Sequence, residues 1–153
     1  MTEVLKKSYN INMLFTRKGD GGKTGTFGCN QKISKSSAIS EALGSLDEAN
    51  SFLGICKVRT QDVGYRIQDM EVPEIINTVQ NDLFVIQAQV AGADKKITEE
   101  KVKWLEEIIN NIESQLPPIK SFLISGVNEI SAHFDFARTL VRRAERRVVG
   151  VSD

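Results

Sequence analysis

Four segments of the chain repeat apolar residues at alternating spacings of four and three, which dictates helices that each bury a single stripe. In the first, Ala42, Leu46, Ala49, Leu53 and Cys56 follow the pattern, and in the second Ile76, Val79, Leu83, Ile86 and Val90 do. The third runs Val102, Leu105, Ile109, Ile112 and Leu116, and the fourth Val127, Ile130, Phe134, Ala137, Val141, Ala144 and Val148. Heptad-like stripes of this kind are buried by helices packed side by side at about 20°. The expected architecture is therefore all-α, an up-down bundle of four long helices.

Local punctuation agrees. Pro73 suits the first turn of the second helix and Gly92 its end; Thr98, followed by Glu100 and Lys101, reads as the cap of the third. Pro117 and Pro118 stop the third helix, and the β-branched, apolar KSFLISG reads as an extended connector to a helix start near Ser125 or Gly126. The polar segment QDVGYRIQDMEV links the first two helices. At 153 residues the chain forms one domain, residues 1–153, and it contains no internal repeat.

Charge and composition narrow the function. Twenty basic residues balance twenty acidic ones, so no surface-wide attraction for nucleic acid is expected and any anion site is local. No apolar run reaches the roughly 20 residues that cross a bilayer, and the first residues lack a signal-peptide pattern. No membrane association and a cytoplasmic location are expected. Cys29 and Cys56 show no paired spacing with each other or with the single histidine, His133, so no metal ligand set is expected. Cys56 reads as a core residue, whereas Cys29, in a Gly-rich loop, leaves an ordinary loop residue as the leading reading and a reactive thiol as the lesser one. With so little imidazole, the chemistry should depend on positioning and charge rather than on proton shuttling.

Residues 1–35 differ in kind from the rest. TRKGDGGKTGTFG holds five of the eleven glycines and cannot be helical as a block. Its exposed N–H groups, with Arg17, Lys18 and Lys23, suit either a phosphate-binding loop or, equally, an unstructured tail. It is not a Walker A loop, because Arg17 stands where the first Gly is needed, nor a dinucleotide fingerprint, because Thr24 occupies the last Gly position.

The fourth helix ends in ARTLVRRAERRVVG, with five arginines in ten residues. Arg138, Arg142 and Arg146 share a face with Glu145 alongside, and Arg143 and Arg147 occupy the next strip. Arg138 and Arg142 each follow an expected seam residue and so should flank the core. This pattern fits a solvated basic face, a nucleic-acid contact, or a site for polyphosphate or carboxylate. In GSLDEANSFLG, Asp47 follows the seam residue Leu46, and Arg138 is its expected partner, within or between chains.

Together, TRKGDGGKTGTFG, GSLDEANSFLG and ARTLVRRAERRVV, spread from residue 16 to 149, resemble the PduO-type ATP:corrinoid adenosyltransferases. The resemblance implies an enzyme that transfers the 5′-deoxyadenosyl group of ATP to the cobalt of cob(I)alamin, with release of triphosphate and with Mg²⁺ as cofactor. It implies a homotrimer whose active sites lie between subunits, and a reductase or a B12-dependent enzyme as a further partner. Residues 1–35 become a nucleotide-binding arm, with Thr16, Arg17, Lys18, Gly19, Asp20, Gly22, Thr24 and Gly25 as nucleotide contacts. Lys35 matches a phosphate-contacting lysine. Arg142 should reach the triphosphate, with Glu145 and Arg146 completing the nucleotide site. Asp47 and Arg138 match an intersubunit salt bridge that shapes the corrin pocket, and Phe122 matches an aromatic that keeps the lower face of cobalt without its usual ligand.

Such chemistry suits the inventory of residues. Cob(I)alamin is itself a nucleophile, so the protein has only to align cobalt with the 5′ carbon and stabilise the leaving triphosphate. Several positions depart from the family pattern. Ser125 and Val127 replace the usual Pro and second Gly of the connector, Asp135 stands where a His is common, and Arg17-Lys18 replaces Lys and a variable residue. His133 is not aligned with that family His and carries no expected catalytic role. The chain ends at Asp153, before the C-terminal helix that carries an adenine-contacting Asn in longer members, so adenine recognition is expected to be looser or supplied by backbone groups. The competing readings are a non-catalytic ATP- or corrinoid-handling module, against which Asp47, Arg138 and Arg142 argue, and a purely structural trimeric bundle with a basic surface.

Overall fold

A computed structural model describes residues 15–27 and 32–152. Cys29 and positions 1–14 of the expected arm lie outside the described residues. Two short antiparallel strands, β1 (Lys23–Gly25) and β2 (Lys32–Ser34), precede helix α1 (Ala38–Gln61). A second minimal hairpin, β3 (Arg66–Ile67) with β4 (Met70–Glu71), leads into α2 (Val72–Val90). Helices α3 (Glu99–Ser114) and α4 (Glu129–Ser152) complete the chain. Among the described residues no helix is long and apolar enough to cross a membrane.

Helix α1 forms as its stripe requires: Ala42, Leu46, Ala49, Leu53 and Cys56 are all buried. Ser37 caps it by accepting from the Ser40 N–H at 3.4 Å, and buried Thr60 donates back to the Cys56 carbonyl at 2.9 Å. Burial pushes the Cys56 thiol pKa above its ordinary value, as suits a core residue. Helix α2 starts with a capping box between Glu71 and Glu74 and with Pro73 in its first turn, and Gly92 beyond its end takes φ +95°. Thr98 caps α3 as expected, but its side chain makes no cap bond. It hydrogen-bonds Glu100 instead, lowering that carboxyl's pKa.

Ion pairs and hydrogen bonds show the directions of the helices. Glu48 of α1 pairs with Arg143 of α4, and Arg59 with Glu129 at 3.2 Å, so these helices run antiparallel. Lys57 donates to Asn77 and Gln80, while Gln80 donates to the Asn50 carbonyl at 2.9 Å, which fixes α2 antiparallel on another side of α1. The core of Leu53, Cys56, Ile76 and Ala137 lies where the three helices meet. Lys101 of α3 reaches Asp82 of α2 at 3.2 Å.

Three expectations are corrected. Helix α4 starts at Glu129, not near Ser125 or Gly126, because Asn128 makes a reciprocal cap with Ser131, its Oδ1 accepting from the Ser131 N–H at 2.9 Å. Gly126 sits outside the helix at φ +93°. The seam of α4 is Ala137, Leu140 and Ala144; Val127 lies outside the helix at 88% exposure and Val141 is 40% exposed. Both choices satisfy a four-three alternation, and the larger leucine takes the core. In α3, only Ile108 is buried, and the expected stripe residues Leu105 and Ile109 instead line a cavity of about 1250 Å³ that separates α3 from α1 and α2.

The revised seam makes a direct prediction. Leu140→Ala should cost about 2–5 kcal/mol of unfolding free energy, whereas Val141→Ala should cost less than about 1 kcal/mol. Urea denaturation of the two variants measures the difference, and equal losses would return Val141 to the core.

Candidate functional site

The Gly-rich segment folds into a tight turn closed by the first hairpin. The Gly22 N–H donates to the Gly19 carbonyl at 3.2 Å, and the Lys35 N–H donates to the Gly22 carbonyl at 2.9 Å. Gly22 takes φ +73°, a conformation that favours glycine. Arg17 occupies the same left-handed region at φ 55°, with its guanidinium 5.2 Å from the centre of the Phe15 ring. Thr16, Arg17, Lys18, Asp20, Gly22 and Gly25 are exposed, whereas Gly19 and Thr24 are half-buried.

Lys35 meets this turn through its side chain as well. A Cβ added to Gly19 would stand 3.0 Å from the Lys35 Nζ, so the ammonium group lies directly over the glycine backbone. Lys32, which no motif identified, donates from its Nζ to the Lys18 carbonyl at 3.1 Å. Strand pairing sets Lys32 opposite Gly25 across the hairpin, a placement that the lysine's position in the sequence could not signal. The turn thus brings the Lys32 and Lys35 ammonium groups beside its own backbone, the chemistry of an oxyanion receptor.

The second group of expected residues lies elsewhere. At 100° per residue, Arg142 projects roughly 170° away from the mean direction of Ala137, Leu140 and Ala144, and Arg138 roughly 130°. With Leu140 rather than Val141 in the core, neither arginine flanks the seam: both leave the bundle, and Glu145 and Arg146 are exposed with them. Arg143 turns to the opposite flank, roughly 90° from the seam, where it meets Glu48.

Asp47 is likewise exposed. It borders a cavity of about 650 Å³ whose other walls include Phe27, Leu43, Phe84 and Ala88, so it faces α2 and the arm rather than α4. No ion pair joins Asp47 to Arg138 among the described residues. Phe122, on the connector, is fully exposed and borders the larger cavity beside α3. His133 donates from Nδ1 to the Glu129 carbonyl at 2.7 Å and lies beside Phe52, a structural role.

Loop and arginine face are separated along the bundle. With Glu48 level with Arg143 and α1 starting at Ala38, Arg142 lies about 15 Å along the axis from the hairpin end at 1.5 Å per residue. One chain therefore presents two separate groups, a lysine turn at one end of α1 and an arginine face outside α4.

Gly19→Ala would force only the flexible end of Lys35 to move. The unfolding midpoint should stay unchanged, while affinity for inorganic triphosphate, measured by calorimetry, should fall about threefold; Lys35→Ala should lower it about tenfold, the loss of one charge-assisted hydrogen bond. Unchanged affinity in both variants would remove Lys35 from the site.

The profile of the cobalamin adenosyltransferase family matches residues 14–153. The corrinoid adenosyltransferase PduO of Citrobacter freundii is 34% identical over 146 residues, which are 91% of this chain and 41% of that relative. The chain thus spans about two-fifths of that relative's length. A second corrinoid adenosyltransferase of Citrobacter freundii is 35% identical over 145 residues, covering 90% of this chain and 78% of the relative. Among solved structures, a variant PduO-type ATP:corrinoid adenosyltransferase from Lactobacillus reuteri, complexed with cobalamin and ATP, aligns with a TM-score of 0.80 at 27% identity. That alignment covers 92% of this chain and 76% of the other. From its first glycine-rich turn to the end of α4, the chain belongs to the cobalamin adenosyltransferase family.

Proposed function

We propose that the protein transfers the 5′-deoxyadenosyl group of ATP to the cobalt of cob(I)alamin, giving adenosylcobalamin and triphosphate. The observation that carries this reading is family membership over residues 14–153, joined to a solved relative that holds both cobalamin and ATP. In the reaction the cobalt electron pair forms a bond to C5′ of ATP, the C5′–O bond breaks, and its electron pair leaves with triphosphate. The charge that develops on the leaving group is what the protein must stabilise.

The residues fit that demand. Thr16, Arg17, Lys18, Gly19, Asp20, Gly22, Thr24 and Gly25 form the nucleotide turn, and Lys35 contacts phosphate. Arg142 supplies a planar fork to the triphosphate, with Glu145 and Arg146 beside it. Among the described residues no three His, Cys, Asp or Glu side chains gather to hold a metal ion. Mg²⁺ fits as a partner of the triphosphate oxygens, its usual mode. The exposed ring of Phe122 suits exclusion of water and of the lower ligand from the corrin, which makes the cobalt(II) form easier to reduce.

The active form is a homotrimer in this reading. Asp47 faces α2 and Arg138 leaves the far flank of α4, so the salt bridge between them forms across a subunit boundary. The same boundary brings the lysine turn of one copy to Arg142 of the next. Delivery of cob(I)alamin calls for a reductase, and use of the product calls for a B12-dependent enzyme. The cytoplasm, which supplies ATP, is the fitting compartment.

The test is anaerobic. Protein, ATP, Mg²⁺ and chemically reduced cobalamin are mixed, and the visible spectrum is followed for formation of the cobalt-carbon bond. The wild-type protein should exceed the protein-free control. Arg142→Ala should lower kcat by about 100-fold, the cost of removing one donor to a developing anion, with its fold intact because Arg142 is exposed. ATP binding without product would leave a nucleotide- and corrinoid-handling module, and wild-type kinetics in Arg142→Ala would sink its assignment.

A further inference from the structure

We propose that the Glu48–Arg143 ion pair is a positioning device that sets the rotation of α4 against α1, and so the direction in which Arg138 and Arg142 leave the bundle. The inference rests on the proposed role of Arg142 at the triphosphate. It starts from a juxtaposition on each helix. Asp47 and Glu48 are neighbours in sequence but leave α1 on opposite flanks, one toward the cavity beside α2 and the other toward α4. Arg142 and Arg143 divide in the same way, one outward and one to Glu48.

Near Glu48 and Arg143, apolar packing keys this rotation weakly. The buried residues of α4 are two alanines and one leucine, Ala137, Leu140 and Ala144, and they lie against an α1 stripe that includes Ala42 and Ala49. The larger apolar contacts between these helices, Phe52 of α1 on Phe136 of α4 with ring centres 4.9 Å apart and Phe134 against the core, lie toward the Arg59–Glu129 end. Around Glu48 and Arg143, small side chains allow close approach but offer few knobs to resist a roll. A polar pair at the margin of such a seam specifies register, with little contribution to stability. The Glu48 and Arg143 side chains remain 58% and 45% exposed, so their pairing adds little to the unfolding free energy. Among the described residues, the one other α1–α4 ion pair is Arg59–Glu129, at the far end of the helices.

The consequence for catalysis is geometric. A roll of about 20° displaces a group about 6 Å from the helix axis by about 2 Å. Misplacement by about 1 Å is enough to cost up to 100-fold in rate. Glu48 and Arg143 touch no substrate in this account. They act through Arg142 and Arg138 and are positioning residues.

The experiment compares Glu48→Gln, Arg143→Met and the swapped double variant Glu48→Arg with Arg143→Glu. Three quantities are read: kcat and the KM for ATP, the unfolding midpoint, and a spin-label distance. Nitroxide labels are placed at Val58 on α1 and Val149 on α4, both exposed, in a Cys29→Ser background. Each single variant should shift or broaden the label distance by up to about 2 Å and lower kcat about tenfold. The KM for ATP should change less than about twofold and the midpoint should hold. The swapped pair should restore distance and kcat together.

An unchanged distance in both single variants overturns the proposal, whatever the activity does. A shifted distance with unchanged kcat overturns it as well, as does a loss of kcat that follows the unfolding midpoint and is not rescued by the swap. If the wild-type protein transfers no adenosyl group, the proposed function fails, and the distance alone still decides whether the pair sets the rotation of α4.

Discussion

The packing of α1 against α4 is the contact on which the rest of the structure depends. It is antiparallel, lined by small residues, and closed by ion pairs at two levels. Small side chains bring the helices close near Arg143, the aromatic pair Phe52 and Phe136 packs further along the contact, and the charged residues off the seam turn outward. Arginines and carboxylates that would be costly inside the bundle are therefore displayed on its flanks. The same seam sets the level of Arg142 relative to the lysine turn, because α1 begins immediately after Lys35 and the two strands.

Much of this was legible in the sequence, and the exceptions have physical causes. The α1 stripe predicts five buried positions and all five are buried, since α1 is the central helix and packs against both α2 and α4. The α4 stripe is ambiguous, because Leu140 and Val141 both continue a four-three alternation from Ala137 to Ala144 and only tertiary packing chooses between them. The consequence reaches the site: with Val141 in the core Arg138 and Arg142 would flank the seam, and with Leu140 there they point away. The α3 stripe is correctly helical but faces a cavity, a fact about neighbours that periodicity cannot carry. The β3–β4 hairpin is only two residues per strand, too short for an alternation to register, and the sequence reads there as a plain linker.

The candidate site is legible in its residue types and not in its assembly. Glycines and lysines around residue 20 advertise an anion, but that Lys35 lies over Gly19 and that Lys32 braces the Lys18 carbonyl are products of the hairpin register. Asp47 and Arg138 attract each other on paper as opposite charges beside a seam. The fold sends them to different flanks, so of the two arrangements the sequence leaves open, within or between chains, no pair forms within the chain among the described residues. Residues adjacent in sequence, Asp47 with Glu48 and Arg142 with Arg143, divide into one that faces outward and one that holds the scaffold.

In the proposed function, each chain carries two half-sites that a neighbouring copy completes. Mixing two impaired variants tests it most directly: Lys35→Ala, with a damaged turn, and Arg142→Ala, with a damaged helix, co-expressed and assayed at subsaturating ATP for formation of adenosylcobalamin. If the turn of one copy meets α4 of the next, about a quarter of the sites in a randomly mixed assembly combine an intact turn with an intact arginine, and activity should recover toward that fraction. Activity no greater than that of the two variants assayed separately would show that the turn and the arginine serve one site within a single chain, and would contradict the account.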